Sequence, residues 1–358
     1  MWPKKNWMAV VCAVIGIAAT KVYSVAATVG AGVDSTPDAS ALIPRLEPPP
    51  QAATLFASPT RMDHIGRILV PVSINGQGPF RMLVDTGAAQ STLSPALVHM
   101  LGLDSGAQTS GTIRVNGITG TADLPSVSIG RLQCGEFVVE NVQVPVVLAP
   151  IMADADGILG LAGLQRERLV VDFQRDRVSL EKSRAVLTDF YKVPAKRLNG
   201  GLFSVPVRIG GVKATAIIDT GSQRTLGNVA LRDALNAKHP DLVSHLTDVY
   251  GATTEVSTGE MLLTPAISMG DVTMANVTVV YGDFHIFEVW EMQAQPAIII
   301  GMDVLGTSRA FVIDFARSEV YFKGFHEGPR EINHGLTFIG PTAPDHAATA
   351  RNPGTTTG

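Results

Sequence analysis

The chain has 358 residues, of which 46% are hydrophobic and 17% are charged, and its formal net charge is −4. This length and hydrophobic content suffice for one large domain or two lobes with a buried core, and they exclude a mostly disordered protein. Because no dense run of Lys or Arg is present, nucleic acid is excluded as the main partner. The 35 Gly and the many Val, Ile and Thr runs favour an all-β protein with many turns.

The N-terminus has the pattern of an export signal. Lys4 and Lys5 precede an apolar stretch from Trp7 to Thr20, and small residues follow up to Ala27, where a signal peptidase can cut. The apolar stretch is shorter than the roughly 20 residues that a membrane span needs. We therefore expect residues 1–27 to be a cleaved signal peptide and the mature protein to be periplasmic or secreted. An uncleaved N-terminal membrane anchor is the alternative.

Low-complexity segments flank the central part of the chain. Residues 28–60 are rich in Ala, Ser, Thr and Pro, which predicts a linker. Residues 328–358 are rich in Pro, Ala, Thr and Gly, which predicts a mostly disordered tail. The folded part lies between them and divides into an N-terminal lobe at 61–190 and a C-terminal lobe at 191–327.

This division follows from an internal repeat, in which six features recur in one order. The matched segments are 69–76 with 203–210, 82–88 with 217–222, 115–120 with 249–254, 127–130 with 267–270, 157–161 with 299–302, and 172–178 with 314–320. Alternating apolar residues before Gly predict strands that end in turns, and 115–120 and 249–254 each predict a hairpin. Two copies of one β-rich unit imply a pseudo-twofold axis, near which residues meet their own repeat equivalents.

Each copy carries an Asp-Thr-Gly motif directly after an apolar strand, and an apolar-apolar-Gly motif more than 70 residues later. The first pair of motifs reads Asp85-Thr86-Gly87-Ala88 and Asp219-Thr220-Gly221-Ser222, and the second pair reads Ile158-Leu159-Gly160 and Ile299-Ile300-Gly301. A single Asp-Thr-Gly is weak evidence, because Asp and Gly are ordinary turn residues. Two copies at equivalent places in a repeat are strong evidence for a site.

Through these motifs the chain resembles the pepsin and retropepsin clan of aspartic proteases, in a single-chain form with two retropepsin-like repeats. The resemblance covers residues 68–323. It implies an all-β fold of two homologous β-barrel lobes with short helices, related by a pseudo-twofold axis. It also implies an aspartic endopeptidase with Asp85 and Asp219 as the catalytic pair. Such an enzyme needs no cofactor and no metal, and we expect a monomer that acts on a peptide or protein substrate.

The resemblance further implies roles for the neighbours of the two Asp residues. Thr86 and Thr220 are expected to hydrogen-bond across the axis, and the two motif glycines to allow close approach of backbone. The apolar-Gly motifs are expected to pack under the catalytic loops. The remaining members of these loops are Gly87, Ala88, Gly221 and Ser222.

Two hairpin tips are implied to cover the substrate as flaps. Their residues are Gly117 and Ile118 in the first copy and Tyr250 and Gly251 in the second. Pepsin-like enzymes have one flap with a Tyr and retropepsin dimers have two, so both arrangements remain open. An insertion at 288–292 carries Trp290, which is expected either to line a substrate subsite or to cap the lobe.

Two carboxyl groups at contact distance cannot both ionise cheaply, so they share one proton. The ionised partner accepts a proton from a water, and the protonated partner donates to the substrate carbonyl. The copies differ directly after the Gly of each loop, where the first copy has Ala88 and the second has Ser222. A Ser hydroxyl that donates to Asp219 would favour its charged form, which predicts the shared proton on Asp85.

Other functions fit the sequence less well. The eight His form no His-Glu-x-x-His pair and no Gly-x-Ser-x-Gly is present, which argues against a zinc peptidase and a serine hydrolase. The serious alternatives are a non-catalytic peptide-binding protein or an envelope assembly protein on the same fold. Such a protein would usually have lost an Asp or a Gly of the catalytic loops, and both loops are intact here.

Overall fold

A computed structural model describes residues 54–59, 61–62, 66–104, 109–147, 152, 155–184, 189–325 and 337–339. The predicted signal peptide at residues 1–27 lies outside the described residues. No helix in these ranges combines the length and apolar character needed to cross a membrane.

The first repeat contributes strands β1 to β11 and one helix. In chain order they are β1 (Thr54–Pro59), β2 (Arg61–Met62), β3 (Ile68–Ile74), β4 (Gln77–Val84), β5 (Thr92–Leu93), α1 (Pro95–Met100), β6 (Thr109–Asn116), β7 (Thr121–Cys134), β8 (Phe137–Pro145), β9 (Gly157–Leu159), β10 (Glu167–Asp172) and β11 (Arg177–Lys182). Strands β2 to β9 form one eight-stranded sheet. Its central strand β4 runs parallel to β9 and antiparallel to β3.

The second repeat contributes the remaining described strands and three helices. In chain order they are β12 (Tyr191–Pro194), β13 (Lys196–Arg197), β14 (Phe203–Ile209), β15 (Val212–Ile218), β16 (Leu226–Asn228), α2 (Val229–Asn236), β17 (Ser244–Tyr250), β18 (Val256–Thr264), β19 (Ile267–Met269), β20 (Val272–Ala275), β21 (Val277–Gly282), α3 (His285–Val289), β22 (Ala297–Ile300), α4 (Met302–Leu305), β23 (Ser308–Asp314), β24 (Glu319–Phe325) and β25 (Thr337–Ile339). Eleven of these strands form the second sheet, in which β15 runs parallel to β22 as β4 does to β9.

A third sheet joins the two repeats. Its order is β1-β11-β10-β23-β24-β12, so β10 of the first copy lies beside β23 of the second. These two strands are antiparallel, and Val170 pairs with Val312. The two valines are the same position in the two copies, so the pseudo-twofold axis passes between them.

The core follows from strand alternation. In β14, for example, Val205, Val207 and Ile209 are buried while Pro206 and Arg208 are exposed. A large apolar cluster fills both lobes. A smaller cluster includes Ala88 of the first Asp-Thr-Gly loop and consists of Leu69, Leu83, Ala88, Ile113, Val115, Val147, Met152, Ala155, Ile158 and Ala252.

The predicted all-β fold with two homologous lobes is confirmed, but two segments differ from the predicted boundaries. β1 lies within residues 28–60, whose composition predicts a linker, and it pairs with β11. β25 lies within the predicted tail at 328–358 and pairs with β20. Both are short β-forming stretches in Pro-, Ala- or Thr-rich surroundings, and distant partner strands hold them in place.

Candidate active site

The two Asp-Thr-Gly motifs lie at the ends of equivalent strands. Asp85 directly follows β4, and Asp219 directly follows β15. The backbone N–H of Asp85 donates to the carbonyl of Leu159 at 3.1 Å, and that of Asp219 donates to the carbonyl of Ile300 at 3.0 Å. The apolar-Gly motifs therefore hold the backbone of Asp85 and the backbone of Asp219 in place.

Reciprocal threonine contacts join the two loops. The Thr86 hydroxyl donates to the carbonyl of Ile218 at 2.8 Å and accepts from the backbone N–H of Thr220 at 3.0 Å. The Thr220 hydroxyl donates to the carbonyl of Val84 at 2.7 Å and accepts from the backbone N–H of Thr86 at 3.1 Å. All four hydrogen bonds cross between the repeats, so the position of one loop determines that of the other.

The two carboxyl groups meet in the interior of the protein. Asp85 is 1% exposed and Asp219 is 0% exposed, and their side chains are in hydrogen-bonding contact. Oδ1 of Asp85 accepts from the N–H of Gly87 at 2.8 Å. Oδ1 of Asp219 accepts from the N–H groups of Gly221 at 2.8 Å and Ser222 at 3.1 Å. Oδ2 of each carboxyl is buried and receives no N–H or O–H donor from the described residues. Two carboxyl groups in contact do not both ionise cheaply.

Close packing explains why the second Asp-Thr-Gly loop has a glycine at position 221. A Cβ atom on Gly221 would lie 2.2 Å from Cγ of Asp85. Any other residue there would push against the first carboxyl, because real Cβ contacts are longer than this. The backbone of one repeat thus supports the carboxyl of the other.

The glycines of the apolar-Gly motifs pack under the loops in the same way. A Cβ on Gly160 would lie 2.4 Å from the carbonyl carbon of Gln90, and one on Gly301 would lie 2.6 Å from the carbonyl oxygen of Arg224. The N–H of Gly160 donates to the Ser91 hydroxyl at 3.2 Å. The N–H of Gly301 donates to the hydroxyl of Thr225, the equivalent of Ser91, at 3.1 Å.

The predicted hairpins form two flaps whose tips touch. Flap 1 is β6–β7 with its tip at 117–120, and flap 2 is β17–β18 with its tip at 251–255. The hydroxyl oxygens of Thr119 and Thr253 lie 2.9 Å apart. A Cβ on Gly117 would lie 3.4 Å from the backbone N of Ala252, and one on Gly251 would lie 2.8 Å from the Thr119 hydroxyl. The tips of both hairpins therefore contact each other, which is compatible with a two-flap arrangement.

The flap residues lie at different depths. Ile118 is fully buried at the tip of flap 1, whereas Tyr250 is half-buried at the last position of β17. Ala252 belongs to the same apolar cluster as Ala88 of the first catalytic loop. The flap tips therefore pack onto the side of the molecule where the catalytic loops lie.

A family model described as aspartyl protease matches residues 70–162 and 205–304, which together exceed half of the chain. The chain belongs to the aspartyl protease family. Each matched segment covers one repeat with its Asp-Thr-Gly motif, flap tip and apolar-Gly motif. No curated protein sequence matches the chain significantly.

The two carboxyl groups of this aspartyl protease have unequal proton affinities. Burial raises the pKa of Asp219 well above its ordinary value, and the negative charge of Asp85 raises it further. Burial also raises the pKa of Asp85, but the hydrogen bond from Asp219, the N–H of Gly87 and the charge of Arg67 oppose this effect. Burial thus raises the pKa of both groups, and that of Asp219 lies well above its ordinary value.

The premise of the sequence-based prediction that the proton resides on Asp85 does not hold. It assumed that the Ser222 hydroxyl donates to Asp219. The hydroxyl instead donates to the carbonyl of Arg224 at 2.6 Å, and only the backbone N–H of Ser222 reaches Asp219. A backbone N–H is available at this position whatever the side chain, so the Ser–Ala difference does not set the asymmetry.

Sequence reasoning also missed a buried acid in the aspartyl protease. Asp303 accepts from the backbone N–H of Thr225 at 3.0 Å and from its hydroxyl at 2.7 Å, under the second catalytic loop. Burial raises the pKa of Asp303 to about 6. The equivalent position in the first repeat is Ala162. The sequence did contain a signal for this part of the site. A hydroxyl side chain recurs at the equivalent positions 91 and 225, and each hydroxyl contacts the Gly of an apolar-Gly motif.

The insertion at 288–292 packs as part of the lobe. Trp290 is buried in the large apolar cluster, and its ring lies edge-on to Phe287 with centroids 6.2 Å apart. It therefore caps the lobe.

The helix α3 reaches flap 1, where His285 Nε2 and the Thr121 hydroxyl are 2.8 Å apart. Among the described residues no cluster of three or more His, Cys, Asp and Glu could hold a metal ion.

Proposed function

We propose that the protein is an aspartic endopeptidase that hydrolyses peptide bonds with a water held between Asp85 and Asp219. The observation that carries the proposal is the contact between two buried carboxyl groups, one from each repeat, at loops joined by the reciprocal hydrogen bonds of Thr86 and Thr220. Because one chain supplies both groups, a monomer is sufficient.

The unequal proton affinities assign the chemical roles. Asp85, as the ionised partner, accepts a proton from the water while the water oxygen attacks the peptide carbonyl carbon. Asp219 donates its hydrogen bond to the carbonyl oxygen, which becomes the oxyanion of a tetrahedral intermediate. The C–N bond then breaks as the leaving nitrogen receives a proton from the pair. The cycle ends with one protonated and one ionised carboxyl, as it began.

The flaps indicate how the substrate is held. An extended peptide that lies between the flap tips and the catalytic loops can pair with flap backbone as an added strand. Flap tip side chains such as Ile118 and Ala252 are apolar and buried. We expect apolar substrate residues on both sides of the scissile bond.

The test is cleavage of an acid-denatured protein between pH 4 and 6, with and without a statine-type transition-state mimic. Such a mimic places a hydroxyl where the catalytic water would lie and should bind far more tightly than a substrate of the same length. We expect a bell-shaped pH profile and complete inhibition at one inhibitor per chain. No cleavage at any pH, with tight peptide binding retained, would instead support a non-catalytic peptide-binding protein.

Export is the second part of the proposal. The charged and apolar pattern of residues 1–27 supports a periplasmic or secreted enzyme, with N-terminal anchoring as the alternative. Sequencing the N-terminus of the mature protein distinguishes these two, because a start after residue 27 requires cleavage. An intact N-terminus in the membrane fraction would favour an anchored enzyme or an envelope assembly role.

A further inference from the structure

The two flaps are held against the rest of the protein to different extents. In flap 1, Ile113 and Val115 of β6 are buried in the small apolar cluster that also contains Ala88 of the first catalytic loop. The whole tip at 117–120 is buried as well. Displacing flap 1 would bring this apolar surface into water, which is unfavourable.

Flap 2 presents most of its first strand to solvent. Val249 is the buried side chain of β17, whereas Leu246 is 76% exposed and the tip residues at 254–255 are exposed. Ala252 is the tip side chain that packs into the small apolar cluster. A segment with few buried apolar contacts opens at a lower free energy than a segment with many. Flap 2 should therefore open more readily than flap 1.

Hydrogen bonds join the base of the flap 1 tip to helix α3 of the other repeat. The Thr121 hydroxyl, at the start of β7, donates to Oδ1 of Asn116, at the end of β6, at 2.7 Å. Nε2 of His285, the first residue of α3, lies 2.8 Å from the same hydroxyl. Because the hydroxyl proton is already donated, the Thr121 oxygen accepts from the N–H at Nε2. Both strands of flap 1 are thus linked to a helix that belongs to the opposite lobe.

The equivalent position in flap 2 makes a different contact. Glu255 corresponds to Thr121, because the two positions have the same offset as Asp219 and Asp85. The carboxyl group of Glu255 lies against Gly120, where a Cβ atom would overlap it. The flap 2 residue therefore reaches the tip of flap 1, whereas the flap 1 residue reaches a helix in the body of the protein.

We infer that His285 is a positioning residue that holds flap 1 in place through Thr121, and that flap 2 is the flap that moves to admit the substrate. The inference rests on the proposed function and refines it, because it places substrate entry on the side of flap 2 and makes flap 1 a fixed wall of the cleft. Opening flap 2 requires the loss of the contact between Thr119 and Thr253 and of the packing of Ala252.

The first test is amide hydrogen exchange of the free protein, read by mass spectrometry over the two hairpins. Exchange reports the free energy of local opening and requires no activity. We expect the amides of residues 244–258 to exchange about 10-fold or more faster than those of residues 112–124. Equal exchange in the two hairpins, or faster exchange in flap 1, overturns the assignment of flap 2 as the moving flap.

The second test compares the exchange of flap 1 in His285→Phe, His285→Gln and the control His99→Phe, which changes an 84% exposed side chain of α1. Phe keeps a ring but has no N–H, so the loss of one hydrogen bond should raise the exchange of flap 1 about 2- to 10-fold and change that of flap 2 less. Gln retains a donor and should keep wild-type exchange, and so should His99→Phe.

Wild-type exchange of flap 1 in folded His285→Phe overturns the role of His285. A general loss of structure would raise exchange in both flaps, so the local change separates positioning from overall stability. If the wild type cleaves nothing, the proposed function fails, and the exchange measurements still decide which flap is fixed and whether His285 holds it.

Discussion

Thr119 in flap 1 and Thr253 in flap 2 are the same position in the two repeats, and their hydroxyl oxygens lie 2.9 Å apart. Thr86 with Thr220 in the catalytic loops and Val170 with Val312 in the joining sheet are further pairs of equivalents in direct contact. The pseudo-twofold axis therefore runs from the joining sheet through the catalytic loops to the flaps. Because the backbone is symmetric, the differences between the halves come from side chains.

The flap contact predicts that the flaps must separate to admit a folded or extended protein substrate. In the double variant Thr119→Cys/Thr253→Cys, oxidation should join the tips by a disulfide and lower the cleavage rate of protein substrates by about 10-fold or more, since loops that cover a site gate access. A reductant should restore the rate. The single variants are the controls, and the natural Cys134 is buried, so it should not exchange. An oxidised, fully cross-linked enzyme that cleaves at the wild-type rate would contradict this account of the flaps.

The reciprocal threonine bonds predict a joint loss of stability and activity. Thr220→Val removes a donor to the carbonyl of Val84 and an acceptor for the N–H of Thr86, and both groups stay buried. Each unsatisfied buried group costs about 1–3 kcal/mol, so the free energy of unfolding in urea should fall by roughly 2–5 kcal/mol. Thr220→Ser keeps the hydroxyl and should retain most of the stability and kcat/KM. Equal stability of the Val and Ser variants would show that these bonds contribute little.

The close approach at Gly221 predicts an inactive but folded variant. In Gly221→Ala the new Cβ would lie 2.2 Å from Cγ of Asp85, so the carboxyl must move. A displacement of about 1 Å at a reacting group can reduce the rate about 100-fold, which is the loss in kcat that we expect. The control is Gly130→Ala, whose Cβ would lie 3.4 Å from Oδ1 of Asn75, outside the site. Wild-type kcat in Gly221→Ala would mean that the carboxyl does not occupy this position during catalysis.

Asp303 predicts a fold that is more stable in acid. Burial raises its pKa from 3.8 to about 6, so the folded protein binds this proton more tightly than the unfolded chain does. Its stabilising contribution is complete below the unfolded value and is lost as the pH rises through about 6. The loss amounts to roughly 2 kcal/mol between pH 4 and pH 7.

The measurement is the free energy of unfolding at pH 4 and at pH 7 for the wild type, Asp303→Asn and the surface control Asp271→Asn. The amide at 303 cannot ionise, so the difference between the two pH values should shrink by roughly 2 kcal/mol in Asp303→Asn. Asp271→Asn should retain the wild-type difference. The account of Asp303 is contradicted if Asp303→Asn shows the same pH dependence as the wild type.

Much of the architecture could be predicted from the sequence, because the repeat is visible as sequence. Copies of the strand, Asp-Thr-Gly, hairpin and apolar-Gly segments recur in order, and symmetry then brings Asp85 and Asp219 together without any knowledge of the intervening path. The strands β1 and β25 could not be predicted in the same way. Their residues lie in biased segments, and they become strands only through pairing with β11 and β20.

The contact of the Ser222 hydroxyl could not be predicted from the sequence. Ser222 differs between the motifs, but a hydroxyl rotates toward its best acceptor, and here that acceptor is the carbonyl of Arg224.

The most direct test of the shared carboxyl pair is peptide-library cleavage profiling of the wild type beside Asp85→Asn and Asp219→Asn. Each variant should first be shown to be folded by circular dichroism and by an intact unfolding transition. We predict a defined set of cleaved bonds for the wild type, and none above background for either variant, because one remaining carboxyl cannot both activate the water and protonate the carbonyl. Cleavage of the same bonds at a comparable rate by either folded variant would contradict the account.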